Sequence, residues 1–354
     1  MRDDRLAPAP MRLDGLDVAR FLAFVGMVIV NFRIAMGAEE AGTGMLHVLA
    51  GALEGRAAAT FVVLAGLSLG LGTARGSSGH VILVTTRRAL FLMAAGLLNT
   101  LIFDADILHY YAVYFFLAIF TLSLSSRSLI GLILLVNAIF MILLFTLDYD
   151  AGWNWVDYTY SGFWTPEGFV RNLLFNGWHP VFPWFGFLLF GLVLSRLRLA
   201  DRRVQGGLIA AGVAGLVLAE ALSAGLQALV AGDSALLEVV TTAPVPPTPL
   251  YTLAGMSAAA LVIGLCLRGA GALGRLGIIA VLAPAGRQTL TLYIAHILVG
   301  MGILEALGLL GGQTLPVAMM AALAFCAASV VYALAWSRLA RHGPIERVMR
   351  RLAG

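Results

Sequence analysis

Apolar runs of about membrane-crossing length recur along almost the whole chain. They cover roughly 15–36, 56–75, 87–103, 107–125, 128–147, 174–196, 204–230, 248–268, 287–309 and 315–337. A bilayer core about 30 Å thick takes ~20 apolar residues per helix, so each run reads as one crossing. The expected fold is all-α: a polytopic integral membrane bundle of about ten transmembrane helices plus short interfacial helices. Residues 39–54 read as a re-entrant or interfacial helix. Residues 271–285, "GALGRLGIIAVLAPA", read as an interfacial segment ended by Pro284. The chain is 60% hydrophobic and 12% charged, where a soluble domain carries about 25% charged residues. One transmembrane domain over residues 1–354 is therefore expected, with 1–14 a cytoplasmic segment and 338–354 a basic cytoplasmic tail. The first apolar run is too long for a signal peptide's apolar core and should remain as the first crossing.

Every basic residue is arginine. The arginines gather at the N-terminus, at Arg75, Arg87 and Arg88, at Arg127, at Arg196–Arg203, at Arg268, Arg275 and Arg287, and from Arg338 to Arg351. The alternate connections carry acids instead: Glu39 and Glu40, Asp104 and Asp106, Asp148 to Glu167, and Asp233 with Glu238. The positive-inside rule then puts both termini in the cytoplasm. An even number of crossings agrees with that, and the expected location is the cytoplasmic (inner) membrane. The net charge of +4 sits in short loops and the tail, which suits orientation in a lipid bilayer and not nucleic-acid binding. Cys266 and Cys326 lie inside apolar runs. With no CxxC, HExxH, GxSxG or glycine-rich phosphate loop, neither a metal nor a hydrolase serine is expected.

Ionisable groups at membrane depth are costly and mark candidate sites. Asn31 falls near the outer end of the first run. His47 and Glu54 are seven apart, so on a helix they share a face. Glu54 would then orient a general-base imidazole; the competing reading is a polar interfacial helix. In "DADILHYYAVYFF", Asp106 caps a helix whose first turn carries His109 and Tyr110, with Asp104 just before it. In "FNGWHPVFPWFGF", Gly177, Pro180 and Pro183 break the helix beside His179, as backbone lining a cavity would. In "AGRQTLTLYIAHILVGMGILEALG", His296 lies mid-membrane and reads as a hydrogen-bonded core residue. The loop 148–168 is rich in Trp, Tyr and Asp, and fits an aromatic belt or a carbohydrate platform.

The chain resembles the YeiB-like and heparan-α-glucosaminide N-acetyltransferase-like membrane proteins of the transmembrane acyltransferase group. The resemblance rests on "RLDGLDVARFLAFVGMVIVN", "GRAAATFVVLAGLSLG", "DILHYYAVYFFLA", "FNGWHPVFPWFGFLLFG" and "AGRQTLTLYIAHIL", in that order. Phe21 departs from a glycine common in the family at that point. The resemblance implies an acyltransferase that takes an acyl group from cytoplasmic acetyl-CoA or another acyl-CoA. The acyl group passes to a hydroxyl or amine of an extracytoplasmic glycan or glycolipid. Carried over by position, it makes His47 the catalytic base with Asn31 beside it, and His109 the second candidate. An acyl-imidazole intermediate is the alternative to direct transfer. Arg20, Arg87, Arg88 and Arg287 are the candidates for the CoA phosphates, although Arg87 and Arg88 also fit simple membrane anchoring. Glu54, Asp104, Asp106, His179 and Tyr110 are candidates for acceptor binding. A transporter or flippase with a polar cavity is the competing class. Small-residue runs such as 210–225 suit helix packing, including in a homodimer.

Overall fold

The computed structural model describes residues 13–38, 44–73 and 78–354. Glu39, Glu40, Arg75 and the arginines up to Arg12 lie outside them. In chain order the elements begin with α1 (Asp14–Ala35), α2 (Met45–Leu53), α3 (Arg56–Thr73), α4 (Ser78–Thr100), α5 (Leu108–Ile119) and α6 (Ser126–Thr146). A hairpin of β1 (Trp153–Asn154) and β2 (Thr159–Tyr160) follows, then α7 (Pro166–Arg171), a π-helical turn (Asn172–Asn176) and α8 (Val181–Ser195). After these come α9 (Arg202–Leu229), α10 (Ser234–Val239), α11 (Pro249–Arg275), α12 (Ile278–Gly286) and α13 (Thr289–Ala295). A second π-helical turn (His296–Met301), α14 (Gly302–Ala306), α15 (Leu315–Ser337) and α16 (Pro344–Ala353) complete the chain.

The protein is all-α but for the hairpin. Among the described residues, eight helices are long and apolar enough to cross a membrane, or nine if the bent pair Pro166–Asn176 and Val181–Ser195 is one crossing. Ten were expected, and two breaks explain the difference. The run 107–125 folds only as α5, whose 12 residues reach about 18 Å at 1.5 Å per residue. The run 174–196 bends by 51° around Gly177 and Pro180. Two boundaries also move. α11 continues through Arg268 to Arg275. Pro284 does not end the next segment but sits inside α12, near its last turn. Residues 45–53 form a short helix, α2, with Met45, Leu46, Val48 and Leu49 exposed, but α2 and α3 together make one candidate crossing, Met45–Thr73, where a re-entrant or interfacial helix over 39–54 was expected; residues 39–43 lie outside the described residues.

Lipid tails are as apolar as leucine, so helices in a bilayer associate through close packing rather than through burial from water. Glycines supply that closeness here. A Cβ on Gly66 of α3 would stand 2.1 Å from the Leu188 carbonyl oxygen of α8, and one on Gly191 would stand 2.1 Å from that of Val63. Across α1 and α12, a Cβ on Gly286 would lie 1.8 Å from the Asp17 carbonyl oxygen. These contacts bring α3 and α8, and α1 and α12, together backbone to backbone. Residues such as Leu98, Leu134 and Phe145 remain exposed on the outside of the bundle.

The last helix is tied back to the bundle by one carboxylate. Glu346 of α16 accepts from the backbone N–H groups of Leu290 (2.8 Å) and Thr291 (3.0 Å) and from the Thr291 hydroxyl (2.5 Å). These donors lie in the first turn of α13, where the helix dipole favours a negative charge. Burial pushes the Glu346 carboxyl above its usual range, and the hydrogen bonds pull the other way.

The glycine contacts generate a prediction. Gly191→Ala should destabilise the protein by about 1–3 kcal/mol or more, because backbone rather than a flexible side chain must yield. Gly72→Ala, at a helical position where a Cβ meets nothing within 4 Å, should not destabilise it and gains up to about 1 kcal/mol of helix propensity. Thermal unfolding of the two variants in detergent compares them directly.

Candidate functional site

Two cavities enter the bundle from opposite ends. The larger, of about 620 Å³, lies at the acid-rich end between α1, the α2–α3 junction, residues 101–107, the 178–184 segment and α13–α14. Asn31, Glu54, Asp104 and His179 lie on its wall, as do Asp157 and Glu305. α2 passes into α3 through a turn at Gly55 (φ +66°), whose carbonyl accepts from the Tyr251 hydroxyl at 3.0 Å. That turn aims Glu54 at Arg33, 2.7 Å away, and not back at His47. His47 is half-buried on α2 and does not line the cavity.

Asn31 instead meets His296, with Nδ2 and Nε2 3.0 Å apart. His296 is fully buried, and its Nδ1 hydrogen-bonds the Tyr293 carbonyl. A carbonyl only accepts, so the proton is on Nδ1 and Nε2 accepts from the Asn31 amide. The π-helical turn starting at His296 interrupts regular helix at this point, as such turns often do at working sites. The sequence shows no local link between Asn31 and His296, which lie 265 residues apart.

The segment from Asp104 to His109 runs from the exposed cavity mouth into the buried interior, with residues 106–109 buried. Asp106 has no exposed surface. Its Oδ1 accepts from Asn99 Nδ2 (2.7 Å) and the Tyr293 hydroxyl (3.3 Å). Its Oδ2 accepts from the backbone N–H of Leu108 (2.7 Å) and of His109 (3.3 Å), capping α5, and lies 3.3 Å from His109 Nδ1. His109 Nε2 is buried without a hydrogen-bond partner among the described residues. The His109 ring lies 3.9 Å from Tyr110, whose hydroxyl donates to Asn172 Oδ1 at 2.5 Å, and Tyr110 meets His179 edge-on. Tyr110 is therefore packed between two imidazoles and does not reach either cavity wall. His179 Nδ1 is likewise buried and without a partner among the described residues. Asp104, at the cavity mouth, has its carboxyl pushed above the usual range by desolvation.

The aromatic loop folds as a cap. Trp153 stacks on Trp155 at 4.5 Å and meets Trp178 edge-on at 5.0 Å. Asn176 fastens the loop by donating to the carbonyls of Tyr149 and Ala151 while accepting from the Tyr160 hydroxyl. The loop contributes Asp157 and Tyr158 to the large cavity, and Trp153, Tyr160 and Trp164 to a cleft of about 380 Å³ beside it. Asp104 borders both.

The second cavity, of about 400 Å³, lies at the arginine-rich end. Arg20 of α1, Arg88 of α4 and Arg287 before α13 converge there from distant parts of the sequence. Arg20 pairs with Asp17 and donates to Ser68 Oγ at 2.7 Å. Arg87 is exposed on the other side of α4 and takes no part in this lining. Arg350 does, and the sequence reading missed it within the basic tail. Its signal was helical spacing: Glu346, Met349 and Arg350 fall at i, i+3 and i+4, and all three line the cavity.

The groups bonded to Asp106 give a sharp test, because all of them are donors. Asp106→Asn conserves shape but turns an NH₂ against donors at one of the two oxygen positions. Leaving buried donors unsatisfied should cost about 1–3 kcal/mol, read as a lowered unfolding temperature. A variant as stable as the parent would show that these hydrogen bonds do not hold the segment.

Residues 12–231 match the family model of the heparan-alpha-glucosaminide N-acetyltransferase catalytic region. Residues 192–354 match the model of a protein family of unknown function, DUF418, which is YeiB-like. No curated protein matches the chain. The first match spans well over half of the sequence and includes Asn31, Asp106, His109 and His179, so the chain belongs to the heparan-α-glucosaminide N-acetyltransferase catalytic family, with a YeiB-like C-terminal portion.

Proposed function

We propose that the protein transfers an acyl group across the bundle, from acyl-CoA at the arginine-rich, cytoplasmic end to an acceptor at the acid-rich, extracytoplasmic end. The acceptor is a hydroxyl or amine of an envelope sugar or glycolipid. The observation that supports this best is the pair of opposed cavities. α1 presents Arg20 to one and Asn31 to the other, 11 residues or about 17 Å apart along the helix. The donor end fits a polyphosphate. Arg20, Arg88, Arg287 and Arg350 face two carboxylates, Asp17 and Glu346, both already hydrogen-bonded. Guanidinium groups bind phosphate oxygens in charge-assisted, often bidentate pairs. Family membership supports membrane acetyl transfer.

At the acceptor end His179 takes the role of base. It is the one imidazole on the large cavity's wall among the described residues. As the acceptor oxygen or nitrogen attacks the thioester carbonyl, His179 receives its proton. The C–S bond then breaks, and the sulfur leaves with the electron pair and takes up the proton that the His179 imidazolium gives back, which restores the neutral base. Asn31 carries two amide hydrogens. His296 engages one, and the other serves the developing oxyanion.

The test is CoA release from acetyl-CoA by purified protein in proteoliposomes. His179→Gln should lower kcat/KM by roughly 10²–10⁴-fold, while His47→Ala stays within a few-fold of the parent. The reverse pattern would move the base to His47. A comparable loss only in His109→Gln would move it to the imidazole held by Asp106. A parent protein that neither binds acyl-CoA nor releases CoA would leave the transporter reading in its place.

A further inference from the structure

Among the described residues, the two cavities share two lining residues, Ile107 and Tyr293. Both are almost fully buried. Tyr293 and Ile107 therefore each border both cavities. The ring is fastened at its tip. Its hydroxyl accepts from the Ile107 N–H at 3.1 Å and donates to Asp106 Oδ1 at 3.3 Å. Asp106 is itself held by Asn99 and by the first turn of α5. On its other flank Tyr293 sits at the end of α13, next to the π-helical turn, with the His296 ring 4.9 Å away.

We propose that Tyr293 and Ile107 form a throat between the cavities, and that the Tyr293 ring sets which acyl groups pass. The inference rests on the acyl-transfer reading above. With the phosphates held by arginines at one end, the acyl group reaches the acceptor cavity only by displacing this ring. A short acyl group on a thin chain passes a modest displacement, whereas a long one does not. With the ring in place, the throat also keeps the two aqueous ends apart. Tyr293 acts here as a specificity-determining and positioning residue and takes no proton.

The experiment uses the full chain in proteoliposomes, as parent, Tyr293→Ala, Tyr293→Phe and Ile107→Ala. CoA release is measured with acetyl-CoA and octanoyl-CoA. Vesicle pH-gradient decay is measured separately, without any acyl-CoA. The octanoyl to acetyl ratio of kcat/KM should rise at least ~10-fold in Tyr293→Ala, the scale on which a pocket discriminates methylene groups. Ile107→Ala should move the ratio in the same direction. Tyr293→Phe keeps the ring and should keep the ratio near the parent's. The pH gradient should decay faster in Tyr293→Ala than in the parent. A uniform loss of rate with an unmoved ratio and an unchanged leak would mean a packing role only, and would overturn the throat. A faster leak in a protein that releases no CoA would uphold the throat and reject the transfer reading.

Discussion

A buried carboxylate surrounded only by donors organises the middle of this bundle. Asp106 ties the end of α4 through Asn99, the start of α5 through two backbone N–H groups, and α13 through the Tyr293 hydroxyl. A carboxylate taken out of water is costly unless its lone pairs are satisfied. Here the Asn99, Tyr293 and backbone donors satisfy them. Satisfying them forces three chain segments into one place. The consequence is chemical as well as structural. The same segment presents Asp104 to the large cavity, Ile107 to both cavities and His109 to the protein interior. Six residues thus reach the acid-rich cavity, the arginine-rich cavity and a buried imidazole.

The architecture and one half of the site were legible in the sequence, because both are written in local pattern. Apolar length marked the crossing helices, and failed only where α5 is too short and where Gly177 and Pro180 bend the chain. Arginine clustering picked out Arg20, Arg88 and Arg287, since charges restricted to one end of several helices must meet there. It could not separate Arg88 from Arg87, because adjacent residues on a helix point about 100° apart and only packing decides which faces inward. The acid-rich half of the candidate site was less legible because its pairs are long-range. Glu54 is seven residues from His47 and was expected to orient it. Arg33, on a different helix, holds the carboxylate instead. Asn31 was placed near the site by its depth, yet its partner His296 comes from the far end of the chain. Tyr293 carried no signal as a site residue, since an aromatic side chain in an apolar helix reads as core.

Two features of the acidic end point to a built surface rather than to loops left in headgroups. The aromatic cap is internally satisfied: Trp153 donates to the Asn176 carbonyl at 2.6 Å and Trp155 to Asp150 at 2.7 Å. Tyr158, in the hairpin turn, has φ +53°, a conformation uncommon for a non-glycine residue and more often held where surroundings impose it. Its side chain lines the large cavity beside Asp157. An aromatic belt would need only rings at the right depth. This loop spends hydrogen bonds and one unfavourable backbone angle to hold its residues over a cavity mouth.

Arginines occur at both ends of the molecule, so their number alone does not distinguish the ends. Their partners do. At the acid-rich end Arg33 is paired with Glu54 at 2.7 Å, Arg56 with Glu220 at 2.5 Å and Arg171 with Glu167 at 3.6 Å. Each of these cations is neutralised where it stands and adds little field of its own. At the other end four arginines line one cavity with two carboxylates. One of the two, Glu346, is turned toward backbone N–H groups. The surplus positive charge there is enclosed by low-dielectric walls, where charge acts further than it does in water. Such a surplus raises the cost of an empty cavity and lowers the cost of a bound polyanion. The asymmetry of charge between the two ends therefore favours a polyanion at one end and not at the other.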